Sequence, residues 1–260
     1  MKIYQADAFT NSVFKGNPAA VVPLKKWIDV SIMQQIAAEN NLSETVFFKE
    51  NKDESFDIRW FTPETEVDLC GHATLAAAHV LFKHLGFYAE EIIFQSISGK
   101  LTVTKKDLFY WLNFPAKPPK PIPVPKLLPE SIGTIPIYTG LHTDLLVLVN
   151  DDQIVKKMKP DISILKSLDV RGVIITAKSS ETGIDFVSRF FAPSLGVPED
   201  PVTGSAHTVL IPFWSKRLGK KFLTARQLSA RGGYIECVDK GDRVEIGGQA
   251  VTYLIGEIFI

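Results

Sequence analysis

The residues best suited to chemistry in this sequence are one glutamate, one histidine and the glycines that open two apolar helices. Glu44 lies between a predicted helix and a predicted strand, where rigid neighbours can hold a carboxylate as a general base. His72 opens the first apolar helix and is a candidate proton shuttle. The glycines Gly71 and Gly204 begin the two helices, whose free N–H groups and dipoles attract anions. These features favour proton transfer on a small anionic substrate.

The two helix starts lie in segments that repeat. Five residues return as the same type 130 to 133 positions later: Arg59, Phe61, Pro63, Gly71 and Ala73 return as Arg189, Phe191, Pro193, Gly204 and Ala206. A period this long indicates a duplicated domain rather than a solenoid. Duplication also favours a site at the domain junction, where matching turns can face each other.

Composition excludes several classes of function. The 260 residues suffice for two domains of about 100–150 residues each. Lysine plus arginine and aspartate plus glutamate number 29 each, so nucleic acid and acidic membranes are poor partners. Two cysteines fit a reducing compartment. The sequence shows neither a signal peptide nor a membrane-spanning run, and we expect a cytoplasmic protein.

The predicted elements form two similar halves. Residues 71–85 have no polar face and predict a helix buried on all sides, with Gly86 ending it. Residues 204–216 predict its counterpart, kinked by Pro212. A shorter helix is predicted over residues 31–40 with Ser31 as its N-cap. Strands flank all three helices, which predicts an α+β fold with each sheet around a central helix.

A proline-rich connector separates the halves. Seven of the fifteen residues 115–129 are proline, a composition typical of extended structure and incompatible with helix or central strand. We therefore predict domains over residues 1–117 and 118–260. The last strand is a candidate to cross back to the first domain.

Cys70 suggests a racemase-like alternative. A cysteine at a helix N-terminus tends to have a lowered pKa, and two opposed thiols can deprotonate and reprotonate one carbon. The repeat register places Thr203 opposite Cys70, however, and Cys237 lies in a strand pattern.

Arg59 and Arg189 are expected to be ion-paired strand residues.

Metal and nucleotide cofactors lack sequence support. The five histidines form no His-Glu-x-x-His motif, and the two cysteines form no Cys-x-x-Cys pair. No glycine-rich nucleotide loop follows a predicted strand. We therefore predict neither a metal nor an organic cofactor.

Several motifs resemble those of the phenazine-biosynthesis PhzF-like family. They are Asp7-Ala8-Phe9-Thr10, residues 16–21, Leu42-Ser43-Glu44-Thr45, residues 61–63, residues 68–74 and residues 200–206. The resemblance spans essentially the whole chain. It implies a diaminopimelate-epimerase-like fold with a site in the cleft between two similar domains. It also implies a homodimer without metal or organic cofactor.

The resemblance also implies a set of site residues. Glu44 would move the proton, with His72 and Asp200 as further catalytic residues. The substrate-binding residues would be Ser43, Gly71, Gly204 and Ser205. The leading hypothesis is a cofactor-independent isomerase of a small carboxylated substrate. Two alternatives stay open: a catalytically silent ligand-binding or interaction protein, and an epimerase that uses Cys70 alone.

Overall fold

The computed structural model describes all residues, Met1–Ile260, and confirms a mixed α+β fold with more strand than helix. Eighteen strands accompany six α-helices and one short 3₁₀ helix. The chain divides into two compact units, residues 1–113 with 247–260, and residues 114–246. No helix combines the length and the apolar character needed to cross a lipid bilayer.

The first unit surrounds a central helix with strands. Its helices are α1 (Val30–Asn40) and α2 (Gly71–His84). Its strands are β1 (Lys2–Ala8), β2 (Asn17–Leu24), β3 (Glu44–Glu50), β4 (Phe56–Phe61), β5 (Glu66–Val67), β6 (Glu91–Ser96), β7 (Gly99–Lys106) and β18 (Ala250–Glu257). β1 pairs antiparallel with β2 and β18, whereas β2 and β3 run parallel. The strands β8 (Phe109–Pro115) and β17 (Arg243–Gly248) each contain the boundary between the units.

Helix α2 is buried as its composition predicts. All ten residues from 72 to 81 are buried, and the helix packs on β1, β2, β3 and β18. Small side chains such as Ala73 and Ala77 let the strands approach the helix closely. The predicted helix end is confirmed, since Gly86 follows with a φ of 70°.

The N-cap of α1 differs from the prediction. Asp29, not Ser31, is the capping residue, and its carboxylate accepts the Ser31 N–H at 2.8 Å and hydroxyl at 2.6 Å. The two residue types are comparable caps, so propensity could not choose between them. In this turn the Asp29 carboxylate is the group that reaches the N–H of the first helical turn.

The second unit repeats the plan. Its helices are α3 (Leu128–Ile132), α4 (Asp152–Lys157), α5 (Ile162–Ser167) and α6 (Gly204–Leu218), with a 3₁₀ helix at Pro193–Leu195. Its strands are β9 (Lys120–Pro121), β10 (Tyr138–Leu141), β11 (Leu145–Leu148), β12 (Val173–Lys178), β13 (Phe186–Ala192), β14 (Val197–Asp200), β15 (Phe222–Gln227) and β16 (Gly233–Asp239). The prediction that residues 115–129 hold no helix is wrong at its end, because Pro129 lies in the first turn of α3. Proline is tolerated there, since the first-turn N–H groups have no intrahelical partner.

Helix α6 continues through Pro212. Pro212 has no N–H to give the Thr208 carbonyl four residues earlier. The N–H of Lys117 donates to that carbonyl at 2.9 Å instead. A segment of the proline-rich connector thus satisfies the group that the proline leaves open.

Matching arginines in the two units form matching ion pairs, as the sequence predicts. Arg59 donates to both carboxylate oxygens of Glu66 at 2.7 Å. Arg189 donates to both oxygens of Glu199 at 2.7 and 2.9 Å. These pairs belong to the scaffold that duplication preserved.

Each central helix buries a histidine with a lowered pKa. Loss of water lowers the pKa of His79 in α2 and of His207 in α6 to about 4. One ring nitrogen of His207, Nδ1, lies 2.8 Å from the Thr203 carbonyl oxygen and donates to it in the neutral tautomer. Both rings are therefore neutral in the folded protein near neutral pH.

We predict acid-sensitive stability from these two rings. The unfolded chain binds their protons near the ordinary pKa of 6.5, whereas the folded protein binds them only near 4. Above about pH 6.5 both rings are neutral in either state and their stabilising contribution is complete. The free energy of unfolding falls as the pH drops toward 4, by about 2 kcal/mol per ring at pH 5. The substitution His207→Asn retains a donor for Thr203 and removes the titration. Urea unfolding at pH 7.5 and 5 should show a smaller loss for the variant, and equal losses would contradict the assignment.

Candidate active site

Three element starts meet at one end of the first unit. Asn17 is the first residue of β2, Glu44 is the first residue of β3, and His72 is the second residue of α2. The parallel register, which pairs Ala19 with Glu44, places both strand starts at the same edge. Because α2 packs on β2 and β3, its first turn brings His72 to that edge.

A carboxylate–imidazole contact forms the centre of this group. Oε2 of Glu44 lies 3.0 Å from Nε2 of His72, with 17% of the Glu44 side chain and 5% of the His72 side chain exposed. This carboxylate oxygen is buried and makes no well-aligned hydrogen bond. On the other side of the ring, Nδ1 lies 3.2 Å from the Asn17 amide nitrogen. The imidazole is therefore held from both sides, with one nitrogen facing the proposed base.

The charge of Glu44 governs the pKa of His72. Burial alone lowers that pKa, but the nearby Cys70 sulfur and Glu44 carboxylate outweigh burial and raise it well above its usual range. Since Cys70 is a neutral thiol near pH 7, the carboxylate supplies the decisive charge. A neutral ring accepts from the Asn17 amide N–H at Nδ1, whereas an imidazolium requires the amide oxygen there.

Cys70 does not have the lowered pKa that its place before α2 predicts. It occupies the N-cap and is buried. Burial, together with the charge of Glu44, raises the pKa of its thiol to about 11, against the opposing effect of His72. The helix dipole is a partial charge, and loss of water outweighs it here.

The thiol, imidazole and carboxylate are poorly arranged for a shared metal ion. Their donor atoms lie within 4.8 Å of one another. Glu44 faces Nε2, however, whereas the Cys70 sulfur lies 3.4 Å from Nδ1 and 4.0 Å from Nε2. One metal ion takes one nitrogen of an imidazole. The arrangement suits proton transfer better than chelation.

The second unit holds the other predicted residues around the start of α6. Thr203 occupies the N-cap position that Cys70 occupies in α2. Its hydroxyl donates to the Asp200 carboxylate at 2.5 Å, and its N–H donates to the buried Gln227 side chain at 2.9 Å. Gln227 also donates to the Asp200 carbonyl at 2.8 Å. This turn is thus fixed before the helix begins.

The predicted glycines begin both helices, and neither has an unusual backbone conformation. Neither Gly71 nor Gly204 has a positive φ, so neither position requires glycine for its backbone conformation. What they contribute is the free N–H groups of a helix start. Ser43 is half-buried directly before Glu44, and Ser205 is half-buried directly after Gly204.

Four residues near these sites escape prediction from local sequence. Asn17 lies in a Gly-Asn-Pro motif, which is its only signal. Gln227 contacts Thr203 across 24 residues, and Arg171 contacts Ser205 across 34. Asp144, which pairs with Arg171, is 27 residues away from it. Spacing carries no information about such contacts, because the sheet pairing creates them.

Known proteins resemble this chain in sequence and in structure. The family model described as "Phenazine biosynthesis-like protein" (PhzC-PhzF) matches residues 6–256. A Pseudomonas aeruginosa protein named an uncharacterized isomerase is 47% identical over 260 residues, which cover 100% of this chain and 99% of that protein. The crystal structure of a PhzF-family phenazine biosynthesis protein from Enterococcus faecalis superposes with a TM-score of 0.97 at 48% identity, covering 100% of this chain and 99% of that one.

A more distant structure shows the same fold. A hydroxyproline epimerase from Agrobacterium vitis superposes with a TM-score of 0.62 at 12% identity, covering 98% of this chain and 91% of that one. The duplicated epimerase-like fold predicted from the sequence is therefore confirmed. With isomerases among its relatives, the chain is itself an isomerase. It belongs to the phenazine biosynthesis-like PhzC-PhzF family.

Proposed function

We propose that this isomerase works without a cofactor, by general acid–base proton transfer through Glu44. The observation that carries the proposal is the 3.0 Å contact between the Glu44 carboxylate and the buried His72 ring. A partly exposed carboxylate with a fixed proton-carrying neighbour can both take up and release a proton.

The reaction moves one hydrogen within the substrate. Glu44 takes a proton from a carbon that a neighbouring carbonyl or unsaturated group makes acidic. The electron pair shifts along the unsaturated system, and the acid form of Glu44 returns the proton to another carbon. Atoms and electrons balance without an oxidant or reductant. His72 orients the carboxylate and relays protons.

The proposed substrate is small and carboxylated. The starts of α2 and α6 offer unpaired backbone N–H groups at Gly71 and Gly204, which suit a carboxylate or a developing enolate oxygen. Asp200 and Ser205 would orient the substrate, and Ser43 would contribute next to the base.

The Cys70 epimerase alternative is weaker. A thiol with a pKa of about 11 is almost fully protonated at neutral pH and is a poor base. The matching position in the second unit is Thr203, which cannot supply a second thiolate. A silent binding protein is the other alternative, and isotope exchange separates it from an enzyme.

We predict that Glu44→Gln lowers solvent exchange at least about 100-fold, because a positioned general base typically contributes 10²–10⁴ in rate. Wild type and variant are incubated in heavy water with a panel of small unsaturated and amino-substituted carboxylic acids. Mass spectrometry then detects label in the substrate.

The matched control is Glu50→Gln at the exposed far end of the same strand, which should exchange like wild type. A loss below tenfold in Glu44→Gln would rule out the role of Glu44. If no compound gains label but some raise the melting temperature, the silent binding protein is favoured.

We predict that Cys70→Ser retains exchange within about tenfold of wild type, because the protonated thiol is not the base. The control is Cys237→Ser, which changes a buried cysteine in β16 of the other unit. Exchange is compared after thermal unfolding has shown both variants to be folded. Abolished exchange in Cys70→Ser, with activity retained in Glu44→Gln, would favour the one-cysteine epimerase.

We also propose a homodimer that covers an exposed apolar patch of the first unit. In β18, Tyr253, Leu254 and Ile255 are all exposed, and Phe14 contacts Tyr253 edge-on with ring centroids 5.6 Å apart. Three successive exposed apolar residues leave both faces of the strand uncovered.

We predict that Leu254→Glu converts a dimer to monomer in sedimentation equilibrium, because a charge there opposes burial of the patch. The control is Ile135→Glu, which changes an exposed isoleucine of the second unit and should leave the mass unchanged. A monomeric wild-type protein would contradict the proposal.

A further inference from the structure

An arginine–aspartate pair lies beside the start of α6. The strands β11 and β12 run parallel, with Leu145 opposite Val173. The residues that precede them therefore lie together, and the Leu145 N–H donates to the Gly172 carbonyl at 2.9 Å. This pairing brings Asp144 and Arg171 into contact, with Nη2 of the arginine 2.6 Å from Oδ2 of the aspartate.

The Arg171–Asp144 pair leaves buried polar atoms without partners, which is unfavourable for an ion pair with a structural role alone. Asp144 is completely buried, and its second oxygen, Oδ1, makes no hydrogen bond. The Nε atom of Arg171 is also buried without a partner. Buried polar atoms without partners destabilise a fold and call for a functional explanation.

Packing fixes the guanidinium in place. Its central carbon lies 5.8 Å from the centre of the Phe190 ring, a cation–π distance. Gly172 makes room for this arrangement, since a Cβ there would lie 2.4 Å from the Phe190 ring and 3.0 Å from Asp144 Oδ1. The arginine is thus held from below by an aromatic ring and from one edge by a carboxylate.

One edge of the guanidinium stays open. Nη2 also donates to the Ser205 hydroxyl at 3.3 Å, but Nη1 makes no hydrogen bond. The Arg171 side chain is 37% exposed. A fixed cation with a free donor therefore lies next to a residue proposed to bind substrate.

The scaffold arginine of the same unit shows no such open edge. Arg189 binds both oxygens of Glu199, and its Nη1 donates to the carbonyls of Val155 and Met158. Arg59, its counterpart, is the only arginine among residues 1–113. Arg171 thus has no counterpart in the first repeat and is a feature of the second unit alone.

We infer that Arg171 binds the carboxylate of the substrate and that Asp144 is the positioning residue that holds Arg171 for it. The inference rests on the proposed function in that it names the group that recognises the carboxylate. Nη1 provides the charge-assisted hydrogen bond, and the Ser205 hydroxyl completes the contact.

The test measures carboxylate recognition apart from catalysis. Benzoate, cinnamate and sorbate are titrated by NMR, each beside its primary amide, into Glu44→Gln protein so that no turnover occurs. Introducing Arg171→Gln as a second substitution in this protein should weaken carboxylate binding about 10- to 100-fold and leave amide binding unchanged. Arg171→Lys should recover part of the loss. The control Arg226→Gln removes an exposed arginine of the same unit, paired with Glu181, and should change neither.

Asp144→Asn separates positioning from folding. The loss of positioning should lower the ratio of carboxylate to amide affinity, whereas a structural lesion would weaken both alike. The inference is overturned if no carboxylate binds in preference to its amide, or if Arg171→Gln retains that preference. Persistent Glu44-dependent deuterium exchange in Arg171→Gln with an unchanged KM would overturn this inference alone and leave the proposed function standing.

Discussion

The contact between the Glu44 carboxylate and the His72 ring is the interaction on which the candidate site of the first unit depends. It requires a charged group with only 17% of its side chain exposed, which is stable only beside a matching partner. That partner reaches it because α2, buried from residue 72 to 81, packs on β1, β2, β3 and β18. A polar face on α2 would favour an exposed helix and would move His72 away from the start of β3.

Duplication preserved the scaffold and changed the chemistry. Each unit retains a strand arginine with a bidentate glutamate, a central buried helix and a glycine at the helix start. The N-cap is Cys70 in one unit and Thr203 in the other. His72 in the first unit has Ser205 as its counterpart in the second. The residues that differ lie at the helix starts, and Cys70, His72 and Thr203 among them are buried.

Sequence patterns predicted what local physics determines. The starts of α2 and α6, the burial of residues 72–81 of α2 and the paired scaffold arginines follow from periodicity, glycine placement and the repeat. The Asp29 cap was missed because aspartate and serine cap almost equally well. The helix through Pro212 was predicted, but the hydrogen bond that satisfies the Thr208 carbonyl was not, because the donating Lys117 N–H lies 91 residues before Thr208 along the chain.

Long-range contacts set the limit of prediction in the candidate site. The parallel register of β11 and β12 joins Asp144 to Arg171, and no spacing rule anticipates that register. The same limit explains the error at Cys70. A helix N-terminus lowers a thiol pKa only while water still reaches the sulfur, and burial is a property of the assembled unit.

The choice of base follows from how burial acts on each group. A thiol is neutral when protonated, so burial and the nearby Glu44 charge keep the proton on Cys70, with a pKa of about 11. The same carboxylate favours a proton on His72. Of the three groups that meet at the start of α2, two therefore hold their protons near neutral pH: burial is the main cause at Cys70, and the charge of Glu44 favours the proton on both. This leaves Glu44 as the proposed acceptor of the substrate proton, with the ring beside it as the proposed return path.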